Sequence, residues 1–429
     1  MEILIAGAGR VGYNIAKILS KKHNITVIDK NEENLNYISE SLDILTVQGD
    51  LKDTLTYQNL DEKYDYYIAV TNSDETNILS ALIIDDFSKI ENKIIRIHNT
   101  SYSLTSLPEK LKINHMIYSN TITVLNIEKL IHLPQANNIK DLSFTNMVLI
   151  SVNSEISINT EEINSDKISV ISIVKEDNIF FCNKACTIEP NDLIYILGEK
   201  EKLKKILKIL APSQPELIKN VLIFGATSLG IEIARVLVGL DLNIKLIERD
   251  INLAHQAAHL LQEDVMVINA SYDDESLFKS ENLNASDLSI AATKNDETNI
   301  MKSLIAKKYG IKKPICVNNN PYYHSIMNSL HLPVIRGPKM NTVYKILEEI
   351  DSENIVFERF FMGFEGKIFI KKIFINKTIN KPKENSKVII IRDNKIINLF
   401  INEETFEVFE GDVIIYFNTS GNKSWITNL

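Results

Sequence analysis

Ile3-Leu4-Ile5-Ala6-Gly7-Ala8-Gly9-Arg10-Val11-Gly12 lies near the start of the chain, and Ile25-Thr26-Val27-Ile28-Asp29 follows it. The first four residues form an uninterrupted apolar run, the composition of a strand buried on both faces. Three glycines in the G-x-G-x-x-G register come next. Apolar residues at Val11, Ile15, Ile18 and Leu19 then recur at helical spacing, predicting a helix over Val11–Lys21. The second apolar run ends in an acid, Asp29. Strand, glycine turn, helix and acid-tipped strand make the βαβ unit that binds dinucleotides. Gly7 permits the tight turn, Gly9 lets bare backbone approach a pyrophosphate, and Gly12 lets the helix pack closely on the sheet. The helix N-terminus offers free N–H groups and the positive end of its dipole, worth about 0.3–1 kcal/mol per nearby anionic charge. Asp29 is placed to accept hydrogen bonds from the ribose hydroxyls of an adenosine.

The pattern continues downstream. Apolar runs at Ile44–Val47, Tyr66–Thr71 and Ile94–Ile97 predict three further strands. A helix is expected over Thr76–Phe87, opened by Asn72 with Glu75 three residues on, a capping-box spacing. Strands alternating with helices imply an α/β fold with a doubly wound parallel sheet. Such sheets bind ligands at the carboxyl ends of their strands. Arg10 inside the loop and Arg96 at the end of the fifth strand are therefore phosphate candidates, and Thr71 and Asn72 end the fourth strand on the same edge.

The chain then repeats itself. Ala69-Val70-Thr71-Asn72-Ser73-Asp74-Glu75-Thr76-Asn77-Ile78 matches Ala291-Ala292-Thr293-Lys294-Asn295-Asp296-Glu297-Thr298-Asn299-Ile300 at seven of ten positions. The glycine loop matches Gly225-Ala226-Thr227-Ser228-Leu229-Gly230, and Asp29 matches Glu248, at offsets of 218 to 222. This is a tandem duplication. The second loop is poorer. Thr227 replaces Gly9, Ser228 replaces Arg10, and the segment matching Arg96 reads Cys316-Val317-Asn318-Asn319. A β-branched residue at the close-approach position should push a pyrophosphate away.

Each parallel sheet is followed by a segment of a different kind. Short strand-like runs occur at Met147–Val152, Ser169–Val174, Asn178–Phe181 and Leu193–Leu197. Their counterparts are Ile368–Phe374, Lys387–Ile391, Lys395–Ile401 and Asp412–Phe417. Two small α+β modules are expected, with proline-marked linkers near Leu133–Asn138, Ala211–Pro215 and Arg336–Pro338.

Composition narrows the function. The 429 residues suit two to four domains of about 100–150 residues. Apolar residues make up 45% and charged ones 24%, so the chain is globular. The net charge of −9 argues against a nucleic-acid partner. Cys182, Cys186 and Cys316 supply neither a disulfide framework nor a four-ligand zinc site, and they suit a reducing compartment. The longest stretch without charged side chains, Pro314–Ile335, carries three prolines and cannot cross a bilayer as a helix. No basic leader precedes the first strand, so a cytoplasmic protein is expected. No nucleophile elbow, Walker lysine loop or metal-ligand cluster occurs; His255 and His259 lack the acid of an H-E-x-x-H site. The doubling and the missing acid–base constellation argue against an NAD-dependent oxidoreductase. A structural scaffold without a ligand is the other alternative.

Gly7–Gly12, Val27-Ile28-Asp29, Ala69–Asn77 and Lys245-Leu246-Ile247-Glu248-Arg249 together resemble the tandem RCK (regulator of potassium conductance) family of bacterial Trk potassium uptake. The resemblance spans the whole chain. It implies two nucleotide-binding RCK N-terminal domains, 1–125 and 217–337, and two smaller RCK C-terminal domains, 135–212 and 345–429. It also implies a non-enzymatic regulatory subunit that forms a homo-oligomer on the inner face of the cell membrane, beneath a TrkH-like membrane potassium-translocating subunit. The implied cofactor is NAD(H), with ATP or ADP as alternatives. The implied first site is Gly7, Ala8, Gly9, Arg10, Val11, Asp29, Thr71, Asn72 and Arg96. The implied second site is Gly225, Ala226, Thr227, Ser228, Leu229 and Glu248.

Overall fold

A computed structural model describes all residues except 59, 176–177, 273, 275, 352–355, 362–365, 383–384, 399–403, 423 and 428, and omits the side chains of 104, 351 and 356–361. The chain divides into two compact units. The first comprises residues 1–123 and 337–350, and the second comprises residues 124–336 and 351–429.

The first unit is built on one six-stranded sheet. Its elements are β1 (Glu2–Ala6), α1 (Arg10–Leu19), β2 (Asn24–Asp29), α2 (Glu32–Ser41), β3 (Leu45–Gln48), β4 (Lys63–Ala69), α3 (Asp74–Ile83), β5 (Lys89–Ile97), α4 (Leu107–Lys110) and β6 (His115–Tyr118). The strand order is β3-β2-β1-β4-β5-β6, and every pairing is parallel. Ile3, Leu4, Ile5, Tyr67 and Ile68 have at most 0% exposure, as a sheet covered on both faces requires. Order reverses between β1 and β4, which leaves a crevice at their carboxyl ends.

The α3 boundaries differ from expectation. The helix starts at Asp74 and ends at Ile83, and its N-cap is Ser73, whose Oγ accepts from the Thr76 N–H at 3.2 Å. Thr71, Asn72 and Ser73 are all cap-type residues, and the local backbone selects the third. The first unit also holds the helix Pro338–Asp351 through Ile350, although that helix follows the second repeat in sequence.

The second unit repeats the sheet with strands 265–269, 243–248, 220–224, 288–291, 313–318 and 334–336, in that order and all parallel. It also contains the two small modules. Each is a five-stranded antiparallel sheet with a separate two-stranded ribbon. The first module's sheet runs Asn178–Phe181, Ile168–Lys175, Leu193–Glu199, Met147–Asn153, Asn138–Asp141. Alternate residues serve two cores, the period-two signature of a strand. Leu149, Ile171 and Leu197 pack with Ile368, Ile389 and Ile415 of the second module, while Ile150, Val170 and Ile196 pack in another cluster. The two modules are further joined by Lys387 Nζ donating to the Cys182 carbonyl at 2.7 Å. The expected strand at Lys395–Ile401 runs from Lys395 to Asn398; its remainder lies outside the described residues.

The expected linker at Leu133–Asn138 is packed. Leu133, Gln135 and Ala136 are buried. Gln135 Nε2 donates to the Pro215 carbonyl at 3.0 Å, and Lys313 Nζ donates to the Ala136 carbonyl at 2.6 Å. Arg336–Pro338 is the junction between a strand and a helix.

Candidate functional site

The crevice between β1 and β4 is a cleft of about 450 Å³. Gly7, Gly9, Arg10, Val11, Asp29, Thr71, Asn72 and Arg96 line it. Ala8 does not, because it is 4% exposed and its N–H points to Asp29.

Gly7 has φ +112°, a conformation that a side chain would strain. A Cβ on Gly12 would lie 1.8 Å from the Gly7 carbonyl oxygen. The close approach at Gly12 is therefore first to the loop's own turn, and only then to the sheet through Ile5. A Cβ on Gly9 would have no atom of the described residues within 4 Å. Gly9 is also the N-cap of α1 and provides no side-chain cap, so this helix start is left uncapped beside the cleft.

Asp29 closes the loop. One carboxylate oxygen accepts from the Ala8 N–H at 2.6 Å and the other from the Asn31 N–H at 2.9 Å. The acid's first task is therefore to hold the glycine turn, and its charge is fixed at the tip of β2.

The repeated Asp-Glu-Thr-Asn string has a structural meaning that its sequence did not reveal. Asn77 is fully buried. Its Oδ1 accepts from the Thr71 N–H and hydroxyl at 3.0 and 2.7 Å, and its Nδ2 donates to the Arg96 carbonyl at 2.8 Å. One amide thus staples the ends of β4 and β5. Asp74 accepts from the His98 and Asn99 N–H groups, both at 2.8 Å, and contacts His98 Nδ1 at 2.9 Å. Burial raises the Asp74 pKa, but the His98 ring and these N–H groups outweigh it and hold the carboxyl below its ordinary value.

Arg96 is 2% exposed, and its Nε has no hydrogen-bond partner among the described residues. Burial lowers its pKa to about 10 against the support of Asp74, so it stays a cation at neutral pH. Sequence reading missed Lys30, Lys52, Asp50 and Lys339, which also line the cleft. Lys30 follows β2 directly, and Asp50 and Lys52 lie in the loop after β3; Lys339 comes from a distant part of the chain, and no local pattern marks it.

The second crevice is smaller, about 180 Å³. Of the residues expected there, Thr227 and Glu248 line it, while Gly225, Ala226, Ser228 and Leu229 do not. Thr227 caps its helix: Oγ1 accepts from the Gly230 N–H at 3.1 Å and donates to the Ala292 carbonyl at 2.9 Å. Glu248 is 4% exposed and accepts from the Ala226 N–H at 2.7 Å, the Asp250 N–H at 2.9 Å and the Tyr272 hydroxyl at 2.9 Å. Register places Tyr272 where Leu51 stands in the first unit. Burial and the Glu248 carboxylate push the Tyr272 pKa far up, which keeps the phenol protonated as a donor. Val317 occupies the position of Arg96, with its carbonyl bonded by Asn299 at 2.9 Å.

Among the described residues no group of His, Cys, Asp and Glu side chains could hold a metal ion. Among them, too, no helix is long and apolar enough to cross a membrane.

Two parallel doubly wound sheets, each with a glycine loop at its switch point, define a tandem Rossmann-type protein. The TrkA-N domain family matches residues 3–119 and 221–336, more than half of the chain, and the chain belongs to that family. It is 25% identical over 447 residues to the Trk system potassium uptake protein TrkA homolog 1 of Methanosarcina mazei, covering 99% of this chain and 98% of that one. It is 24% identical over 457 residues to the Trk system potassium uptake protein TrkA of Haemophilus influenzae, covering 100% and 98%. Its fold is that of the GsuK RCK domain, with a TM-score of 0.63 at 16% identity, covering 98% of this chain and 92% of the other. The GsuK channel bound to NAD superposes with a TM-score of 0.62 at 17% identity, covering 98% and 77%.

Proposed function

We propose that this chain is a nucleotide-binding regulatory subunit of a potassium uptake system, and that it binds its nucleotide without turning it over. The first cleft carries this reading: a glycine loop, an uncapped helix start, an acid at the tip of β2 and two arginines meet at the switch point. Relatives named for Trk potassium uptake support the biological setting. In this reading 1–125 and 217–337 are the RCK N-terminal domains, and 135–212 and 345–429 the RCK C-terminal ones. The site residues are Gly7–Val11, Asp29, Thr71, Asn72 and Arg96, with Gly225–Leu229 and Glu248 forming a lesser second site. NAD(H), ATP and ADP are the ligands to test.

The chain would act at the inner face of the membrane as a homo-oligomer on a TrkH-like potassium-translocating partner. Its mechanism would be a ligand-biased change of shape, with a coupling of about 1–3 kcal/mol between nucleotide and partner. The test is calorimetry on the purified chain with each nucleotide, followed by product analysis. One strong site per chain with unchanged nucleotide is expected. Hydride transfer or hydrolysis that disappears in Arg10→Ala would overturn the reading.

A further inference from the structure

The first cleft includes a residue from beyond the first repeat. Lys339 lines it from the first turn of the helix Pro338–Asp351. Two contacts place this helix: Asn341 Nδ2 donates to Thr123 Oγ1 at 2.9 Å, and Glu349 lies 3.4 Å from His115 Nδ1. His115 belongs to β6 and Thr123 follows it closely, so Lys339 enters the cleft from the β6 side. β5, which carries Arg96, is the neighbouring strand.

Charge is distributed unevenly along the cleft. Toward β2 and β3, Asp29 and Asp50 accompany Lys30 and Lys52, and the formal charges cancel. Toward β5 and β6 stand Arg96 and Lys339, and among the described residues no carboxylate lines that end. Asp74, the acid that supports Arg96, has both oxygens engaged by His98 and Asn99. Among the described residues the Arg96 Nε has no acceptor, an arrangement that a ligand oxygen would relieve.

We infer that Arg96 and Lys339 form a terminal-phosphate subsite, so that the first cleft ranks adenine nucleotides by the negative charge at the end remote from the base. The inference rests on the nucleotide-binding reading above. With the ribose near Asp29 and the first phosphates on the glycine loop, the phosphate tail of ATP extends toward Arg96 and Lys339. NAD(H) would place there a nicotinamide riboside that carries no anionic group. ATP should therefore bind more tightly than ADP, and both more tightly than NADH. Lys339 is then a specificity-determining residue supplied by the second repeat.

The experiment is calorimetric titration of the full chain with ATP, ADP and NADH, on the unaltered protein and on Lys339→Gln, Lys339→Arg and Gly9→Val. Lys339→Gln should weaken ATP about tenfold, the size of one lost charge-assisted hydrogen bond, and change NADH less than twofold. Lys339→Arg should restore most of the ATP affinity. NADH binding at least as tightly as ATP would overturn the subsite, as would equal losses for ATP and NADH in Lys339→Gln or no loss for either. Retention of ATP binding in Gly9→Val would instead reject the cleft as the nucleotide site.

Discussion

The two clefts are built on the same frame and differ in what occupies it. In each, an asparagine staples the ends of two strands and an acid at the tip of the second strand holds the glycine turn. In the first, α1 begins uncapped at Gly9, Leu51 follows the third strand, and Arg96 lines the cleft. In the second, Thr227 caps the helix, Tyr272 is bonded to the acid, and Val317 replaces the arginine. The second frame thus satisfies from within the groups that the first leaves to a ligand. Duplication preserves the polar bonds that position strands, because losing one leaves a buried group unpaired. Residues that serve only a ligand are under no such constraint from folding.

The largest expected effect separates the clefts outright. Gly9→Val adds a side chain in open space, so folding should be unaffected, while the loop can no longer approach a pyrophosphate. Nucleotide affinity should fall by about a hundredfold or more, and Thr227→Val should change it little; calorimetry measures both. Two equal strong sites per chain in the unaltered protein would erase the distinction.

A smaller effect should treat the clefts alike in stability and unlike in binding. Asn77→Ala and Asn299→Ala each remove a buried amide that joins two strand ends. Each should lower stability by about 2–3 kcal/mol in denaturant titration. Only Asn77→Ala should also weaken the nucleotide, because Thr71 and Arg96 line the cleft proposed to hold it.

The smallest effect depends on pH. The Asp74 carboxyl is held below its unfolded value of about 3.9. Its contribution is therefore fully present above about pH 4 and is lost as pH falls through the folded value. Melting of the protein should show that extra loss below pH 4, and Asp74→Asn should remove the additional pH dependence. The difference should be about 2–4 °C. Identical acid profiles would show that the carboxylate does not hold the loop after β5.

Much of the frame was legible because it rests on short-range pattern. Apolar runs ending in Gly7 and Asp29 dictate a strand–loop–strand order, and Thr227 and Ser228 announce a weaker second loop. Other features depend on where distant segments meet. Tyr272 reaches Glu248 from a loop with no motif of its own. Lys339 lies more than two hundred residues from Arg96 in sequence. The proline-marked segment after the first sheet reads as a linker, and nothing local says that Leu133 and Ala136 are buried and that Lys313 binds the backbone there. Asn77 was visible as part of a repeated string, but the string alone does not say that its amide bridges two strands.

The placement of residues 337–350 in the first unit makes the duplication inseparable by a single cut. A nick at the exposed Pro212-Ser213 bond would leave two fragments, each carrying pieces of both units. The fragments would stay associated and could be co-expressed as complementing halves. Neither, produced alone, would contain a whole first unit. A single-repeat chain of this design would lack that helix in its own polypeptide and would have to take it from another copy of itself.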